Sequence, residues 1–195
     1  MFENMNPFMT GHVLIRDADT QEVLVDKNNA IHYGNMARVI AESLVSGINP
    51  YFLNYMSFGN GGTGVDTTGK VIYKTPRVSE AYERSAGMYS RTYDKRIGRD
   101  ATTGNRIEVI PGPSYSDIKC TCILDYNEPA DAEVFDTSIT NEGNYVFDEL
   151  ALYTEPLTPS DINTRTMLTH VIFHPVQKSL NRKLEIIYTV RIQLS

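Results

Sequence analysis

The chain predicts a mainly β fold: an antiparallel β-sandwich, jelly-roll-like or immunoglobulin-like, with one packed α-helix and a long loop or arm. Three observations carry this. Toward the C-terminus, Leu184, Ile186, Tyr188, Val190, Ile192 and Leu194 alternate with Lys183, Glu185, Ile187, Thr189, Arg191 and Gln193. A period of two places these sets on opposite faces of a strand about 35 Å long, whose apolar face needs a covering layer. Only around Met36 to Val45 do apolar residues recur at convincing helical spacing. The other apolar runs are short and separated by Gly, Pro, Asn and Asp.

In chain order, His12–Arg16 and Glu22–Val25 flank Asp17-Ala18-Asp19-Thr20-Gln21, whose Asp and Thr residues supply turn chemistry for a β-hairpin that Asn28-Asn29 ends. Met36, Val39, Ile40 and Leu44 then form a helical stripe widened by Ala37, Ala41 and Val45. Asn35 is the expected cap, and Gly47, Ile48 and Pro50 the expected stop. A helix of about twelve residues is not stable alone and must lie on a sheet. Tyr51–Phe58 reads as an aromatic strand that empties into the flexible loop Gly59-Asn60-Gly61-Gly62-Thr63-Gly64, and Val71–Tyr73 as a short strand.

From Val78 to Asn105 the apolar periodicity fades, which predicts a long arm off the core. Arg106–Ile110, Ser116–Leu124, Tyr145–Tyr153 and Met167–Phe173 read as strands. The third is irregular at Asp148-Glu149, where alternation slips, and the fourth is closed by Pro175. Thr154–Thr166 is a loop. No repeat or linker divides residues 1–195, so one domain is expected, with its arm at about 78–105.

Length and composition bound the function. A chain of 195 residues with 41% hydrophobic and 22% charged residues can bury a sizeable core without staples. Its formal charge of −6 disfavours nucleic-acid binding over the whole surface. No apolar run approaches the roughly 18 residues of a transmembrane helix, and the first residues do not read as a signal peptide, so a soluble protein without a membrane partner is expected. Cys120 and Cys122 lie two apart on a strand, about 7 Å from each other, and are expected to be reduced thiols.

Catalytic, cofactor and metal chemistry find no constellation in the sequence. Gly64-Val-Asp-Thr-Thr-Gly69-Lys70 matches the first part of a phosphate-binding loop, but Val71 stands where Ser or Thr should hold magnesium, and a strand follows instead of a helix. His170 and His174 share a face of a strand about 13 Å apart, too far to bind one metal together. Asp148 and Glu149 are adjacent and point to opposite faces, the wrong arrangement for an acid–base pair. The strongest local charge feature is basic: Arg91, Lys95, Arg96 and Arg99. This is a solvated loop or an arm that docks on an acidic patch of a neighbouring subunit, with a DNA-facing role third in line.

Three stretches together resemble virion structural proteins of tailed bacteriophages. Gly11-His-Val-Leu-Ile-Arg-Asp-Ala-Asp-Thr-Gln-Glu-Val-Leu-Val25, followed by Asn29-Ala-Ile31 and the helix, is similar to the opening hairpin of many tail, collar and fibre-attachment proteins. Met56-Ser-Phe58-Gly59-Asn60-Gly61-Gly62-Thr63 resembles their strand and glycine loop. Phe147-Asp-Glu-Leu-Ala-Leu-Tyr153, with Met167 to Lys178 and the last strand, resembles the close of such sandwich modules; Ala151 departs from their usual Gly.

The resemblance implies a non-enzymatic subunit, assembled in the bacterial host cytoplasm as a homo-oligomer or ring among other virion proteins at the neck, collar, tail or baseplate. Composition and place then nominate Phe58, Asn60, Thr63, Tyr89, Arg91, Tyr93, Lys95, Arg96 and Arg99 as subunit contacts, with no catalytic, cofactor or metal residue. A carbohydrate-binding sandwich on the receptor or capsid surface is the alternative, although Trp is absent.

Overall fold

The structure is a computed structural model that describes residues 9–45, 52–79, 87–98, 104–129, 145–158 and 160–193. Its strands are β1 (Met9–Asp17), β2 (Val23–Ile31), β3 (Leu53–Gly59), β4 (Thr63–Val65), β5 (Val71–Tyr73), β6 (Arg91–Arg96), β7 (Arg106–Pro111), β8 (Tyr115–Leu124), β9 (Tyr145–Thr154), β10 (Met167–Lys178) and β11 (Leu184–Gln193), with helix α1 (Tyr33–Val45) between β2 and β3. Among the described residues nine strands form one antiparallel sheet in the order β6-β3-β9-β10-β2-β1-β11-β8-β7, and β4 and β5 form a separate hairpin. The sheet curls into a half-barrel. Apolar burial is therefore supplied by the curvature of one sheet and by α1, where two stacked sheets were expected.

Alternation decides which side chains enter the half-barrel. On β11, Leu184, Ile186, Tyr188 and Val190 are buried while Glu185, Ile187, Thr189 and Arg191 are half-buried on the other face. β1 adds Val13 and Ile15, and β8 adds Cys120, Cys122 and Leu124. Phe147 of β9 anchors the opposite wall, edge-on to Phe58 at 5.2 Å and to Phe173 at 5.8 Å. Aromatic pairs in this geometry add stabilisation beyond their buried area. The long amphipathic strand is not an edge: β11 lies between β1 and β8. Residue Leu194 lies outside the described residues.

The opening hairpin is present but its second strand is longer than predicted. Asn28 and Asn29 do not end β2; they pair with His12 and Gly11, and Ala30 and Ile31 then pair with His170 and Thr169 of β10. This handover joins the two halves of the sheet. β10 likewise runs through Pro175 instead of stopping there, because its pairing with β9 slips between Ile172 and Val176 and leaves the proline unpaired with β9. The predicted irregularity at Asp148-Glu149 falls at this slip.

Helix α1 starts earlier than the Asn35 cap predicted. His32 is the cap: its carbonyl accepts from the Met36 N–H at 2.9 Å and its Nδ1 from the Asn35 N–H at 3.2 Å. Asn35 instead ties the helix to the sheet, donating its amide to the Met167 carbonyl at 2.7 Å. Met36 and Val39 are buried, whereas Leu44 is 83% exposed and leaves the stripe. The expected stop at Gly47, Ile48 and Pro50 lies outside the described residues.

Candidate functional site

Outside the half-barrel, the outer face of β3, β9 and β10 carries a buried polar centre. It is built from Asp148 and Glu149 on β9 and His170 on β10, where His170 pairs with Ala151 and Glu149 with Ile172. The centre holds two loops against the sheet. Glu149 Oε1 accepts from the backbone N–H groups of Ser90 (2.7 Å) and Gly61 (3.2 Å). Its Oε2 accepts from the Tyr89 N–H (3.0 Å) and lies 2.9 Å from His170 Nε2. Asp148 accepts from the Gly62 and Thr63 N–H groups, each at 2.8 Å, and from the Thr63 hydroxyl. Adjacent carboxylates reach the same loop because the β9–β10 pairing slips beside them, so the opposite-face rule used on the sequence does not apply here.

The hydrogen bonds fix the histidine tautomer. His170 Nδ1 accepts from the Arg77 N–H at 2.8 Å, which leaves Nε2 to carry the proton it donates to Glu149. Both ring nitrogens are thereby committed. Burial pushes the Glu149 carboxyl up, but the hydrogen bonds from His170, Tyr89 and Ser90 outweigh it and hold the group below the usual glutamate range. A carboxylate saturated by backbone donors and a histidine with no vacant nitrogen anchor loops; neither can take a proton from a substrate in this arrangement.

Tyr89 closes the latch from outside. Its hydroxyl donates to the Thr75 carbonyl at 3.0 Å, and its ring meets the Lys74 ammonium at 4.4 Å and the Arg77 guanidinium at 4.2 Å. Gly64 to Lys70, the partial match to a phosphate-binding motif, belongs to the β4–β5 hairpin, whose turn is ordered by Asp66 accepting from the Thr68 and Lys70 N–H groups at 2.8 and 2.9 Å. It is a structured hairpin, not the flexible loop expected. Among the described residues no group of His, Cys, Asp and Glu is arranged to hold a metal ion.

The nominated contact residues fall in different places. Phe58 is corrected outright: its side chain is fully buried between Tyr93 and Phe147, so it is unavailable to a partner in the folded chain. Asn60 is exposed, and Thr63 is half-buried and spent on Asp148. Arg91 to Arg96 is not an arm; it is edge strand β6, paired along β3. Its alternation sends Tyr93 inward against Phe58 and Tyr145. The basic cluster is largely answered within the chain, Arg91 by Asp94 at 3.8 Å, Lys95 by Glu128, and Arg96 by Glu155 at 4.0 Å. Of these, Arg96 remains 67% exposed. Arg99 lies outside the described residues. Sequence reasoning missed the latch because most of its donors are backbone groups; the slipped alternation at Asp148-Glu149 was its one visible signal.

Compared with known proteins, the chain matches no family model, no curated protein and no solved structure.

Proposed function

We propose that the chain is a non-enzymatic structural subunit of a tailed-phage virion, assembled in multiple copies at the neck, collar or tail and held by neighbouring virion proteins. The observation that carries this reading is the commitment of the Asp148–Glu149–His170 centre. The buried acid and histidine groups that would be candidates for catalysis are consumed in pinning residues 61–63, 77 and 89–90 to the sheet. Rigid loops on a curled sheet suit a surface that is read by other proteins. Among the described residues the edges β6 and β7 each have one side unpaired, which assemblies either blunt or use. In this reading the half-barrel takes the place of the sandwich module, jelly-roll-like or immunoglobulin-like, of the proteins the sequence resembles.

Gold-labelled antibody to the chain, applied to particles of the phage that encodes it, tests the assignment. Labels clustered at one level of the particle, at the neck, collar or tail, support it. Particles without label, with the chain recovered only from the soluble lysate, reject it.

A further inference from the structure

We infer that the outer face of the sheet beside the β4–β5 hairpin is a docking surface for an acidic segment of a neighbouring protein, whose carboxylates meet the ammonium groups of Lys27 and Lys74. This deepens the assembly reading and rests on it for the source of the segment.

Cations and tyrosine rings alternate across this face. The Lys27 ammonium, reaching from β2, lies 5.6 Å from the centre of the Tyr73 ring. Tyr73 is fixed in turn by a hydrogen bond between its hydroxyl and His174 Nδ1 at 3.1 Å. One residue on, the Lys74 ammonium lies 4.4 Å from the Tyr89 ring, which also carries the Arg77 guanidinium at 4.2 Å. Lys27, Tyr73, Lys74 and His174 are all exposed, so the row is open to a partner.

Neither ammonium is answered by an acid. Elsewhere on the surface cations face carboxylates: Arg16 meets Glu185, Arg106 meets Glu108, Lys183 meets Asp125 and Arg191 meets Asp117. Among the described residues Lys27 and Lys74 make no ion pair. The chain has 24 acidic residues against 18 basic ones, so acids are not in short supply. The carboxylates nearest this face, Asp148 and Glu149, accept from the backbone N–H groups of Gly61, Gly62, Thr63, Tyr89 and Ser90, and those dipoles offset their charge.

Both ammonium groups are also held in place. Lys27 Nζ donates to the Ile172 carbonyl at 2.7 Å and Lys74 Nζ to the Gly61 carbonyl at 2.6 Å. An ammonium has three N–H donors, so two remain on each for an anion. Exposed ion pairs are weak largely because two long side chains must be frozen to make one; here the protein's half of that ordering is complete before docking. The small number of fixed cations decides the partner. Nucleic-acid backbones are gripped through many phosphates, about six to ten in salt-sensitive binders, and a chain of formal charge −6 offers no such track. Two fixed ammonium groups match two carboxylates of a polypeptide.

The probe is blocked hexaglutamate peptide, titrated at low salt into the full chain while amide chemical shifts are followed by NMR. The expected result is saturable binding with shifts centred on Gly61, Tyr73, Lys74 and His174. Lys27→Glu and, separately, Lys74→Glu should each weaken it about tenfold, since a like charge then faces the peptide. Both side chains are exposed, and circular dichroism confirms that each variant keeps the fold. Arg106→Glu, on β7, should leave binding unchanged, and hexaglutamine and oligothymidylate should bind about tenfold more weakly than hexaglutamate. The inference is overturned by no binding at millimolar peptide, by shifts centred elsewhere, by binding that neither lysine reversal weakens or that Arg106→Glu weakens equally, by equal binding of hexaglutamine, or by oligothymidylate binding as tightly as the peptide. Each of these leaves the labelling of virions untouched, so failure of the docking surface and failure of the virion assignment read out separately.

Discussion

Glu149 Oε2 and His170 Nε2 lie 2.9 Å apart with both side chains fully enclosed, and the remaining acceptor capacity of the carboxylate is taken by the backbone of two loops. Removing one partner of such a buried pair leaves donors facing a group that cannot answer them. Glu149→Gln places an amide N–H₂ where a carboxylate oxygen accepts, so it should destabilise the chain by about 3 kcal/mol in urea unfolding. The acid limb should change too. Because the folded-state value of Glu149 is depressed, its stabilisation is complete above the usual glutamate range and is lost as pH falls through the folded-state value. The variant should therefore lose less stability than the parent on acidification. The part due to Asp17 should remain; it is held down to about 2, chiefly by the Thr20 backbone N–H and the Arg182 guanidinium.

Gly59, the last residue of β3, lies directly against the Ser90 carbonyl and the Glu149 side chain. A Cβ there would meet the Ser90 carbonyl oxygen and the Glu149 side chain inside van der Waals contact. Since one of these is backbone, Gly59→Ala should push residues 87–90 off β9 at a cost of about 1–3 kcal/mol. Amide exchange should accelerate at Tyr89 and Ser90 while the β1–β11 amides stay protected.

Lys178 ends β10 fully buried, with its ammonium donating to the Ser179 carbonyl at 2.9 Å. Burial pushes its pKa down to about 8. The unfolded chain then holds a proton that the folded chain has released, so stability should rise as pH climbs from about 8 towards lysine's ordinary 10.5. Lys178→Met should abolish that rise and stabilise the chain near neutral pH, as read by thermal unfolding across the alkaline range.

Cys120 and Cys122 are free and fully buried on the inner face of β8. Burial pushes both thiols well above their usual range, and a thiol that does not ionise is a poor nucleophile. A thiol-reactive dye should leave the native chain unmodified and label both cysteines once denaturant unfolds it.

What the sequence displayed and what it hid follow from the range of the interactions involved. The alternation in β8 and β11 and the stripe in α1 are local patterns, and they located those elements within a few residues. The neighbours of β11 were hidden, because an amphipathic strand looks the same at an edge and between β1 and β8. β6 was read as an arm since Arg91, Asp94, Lys95 and Arg96 mask the inward Tyr93, and the ion pairs that make them tolerable come from Glu128 and Glu155, distant in sequence. His32 carries no capping signature of its own, because histidine seldom leads lists of helix caps. The latch was hidden for a further reason: Tyr89, Ser90, Gly61 and Gly62 contribute backbone N–H groups, which every sequence has.

The most direct measurement of the central claim is the copy number of this chain in purified phage particles, determined by quantitative mass spectrometry against the major capsid protein. The account predicts a fixed stoichiometry of several copies per particle, retained through density-gradient purification. A chain absent from purified particles, or present at a level that falls with each purification step, would contradict it.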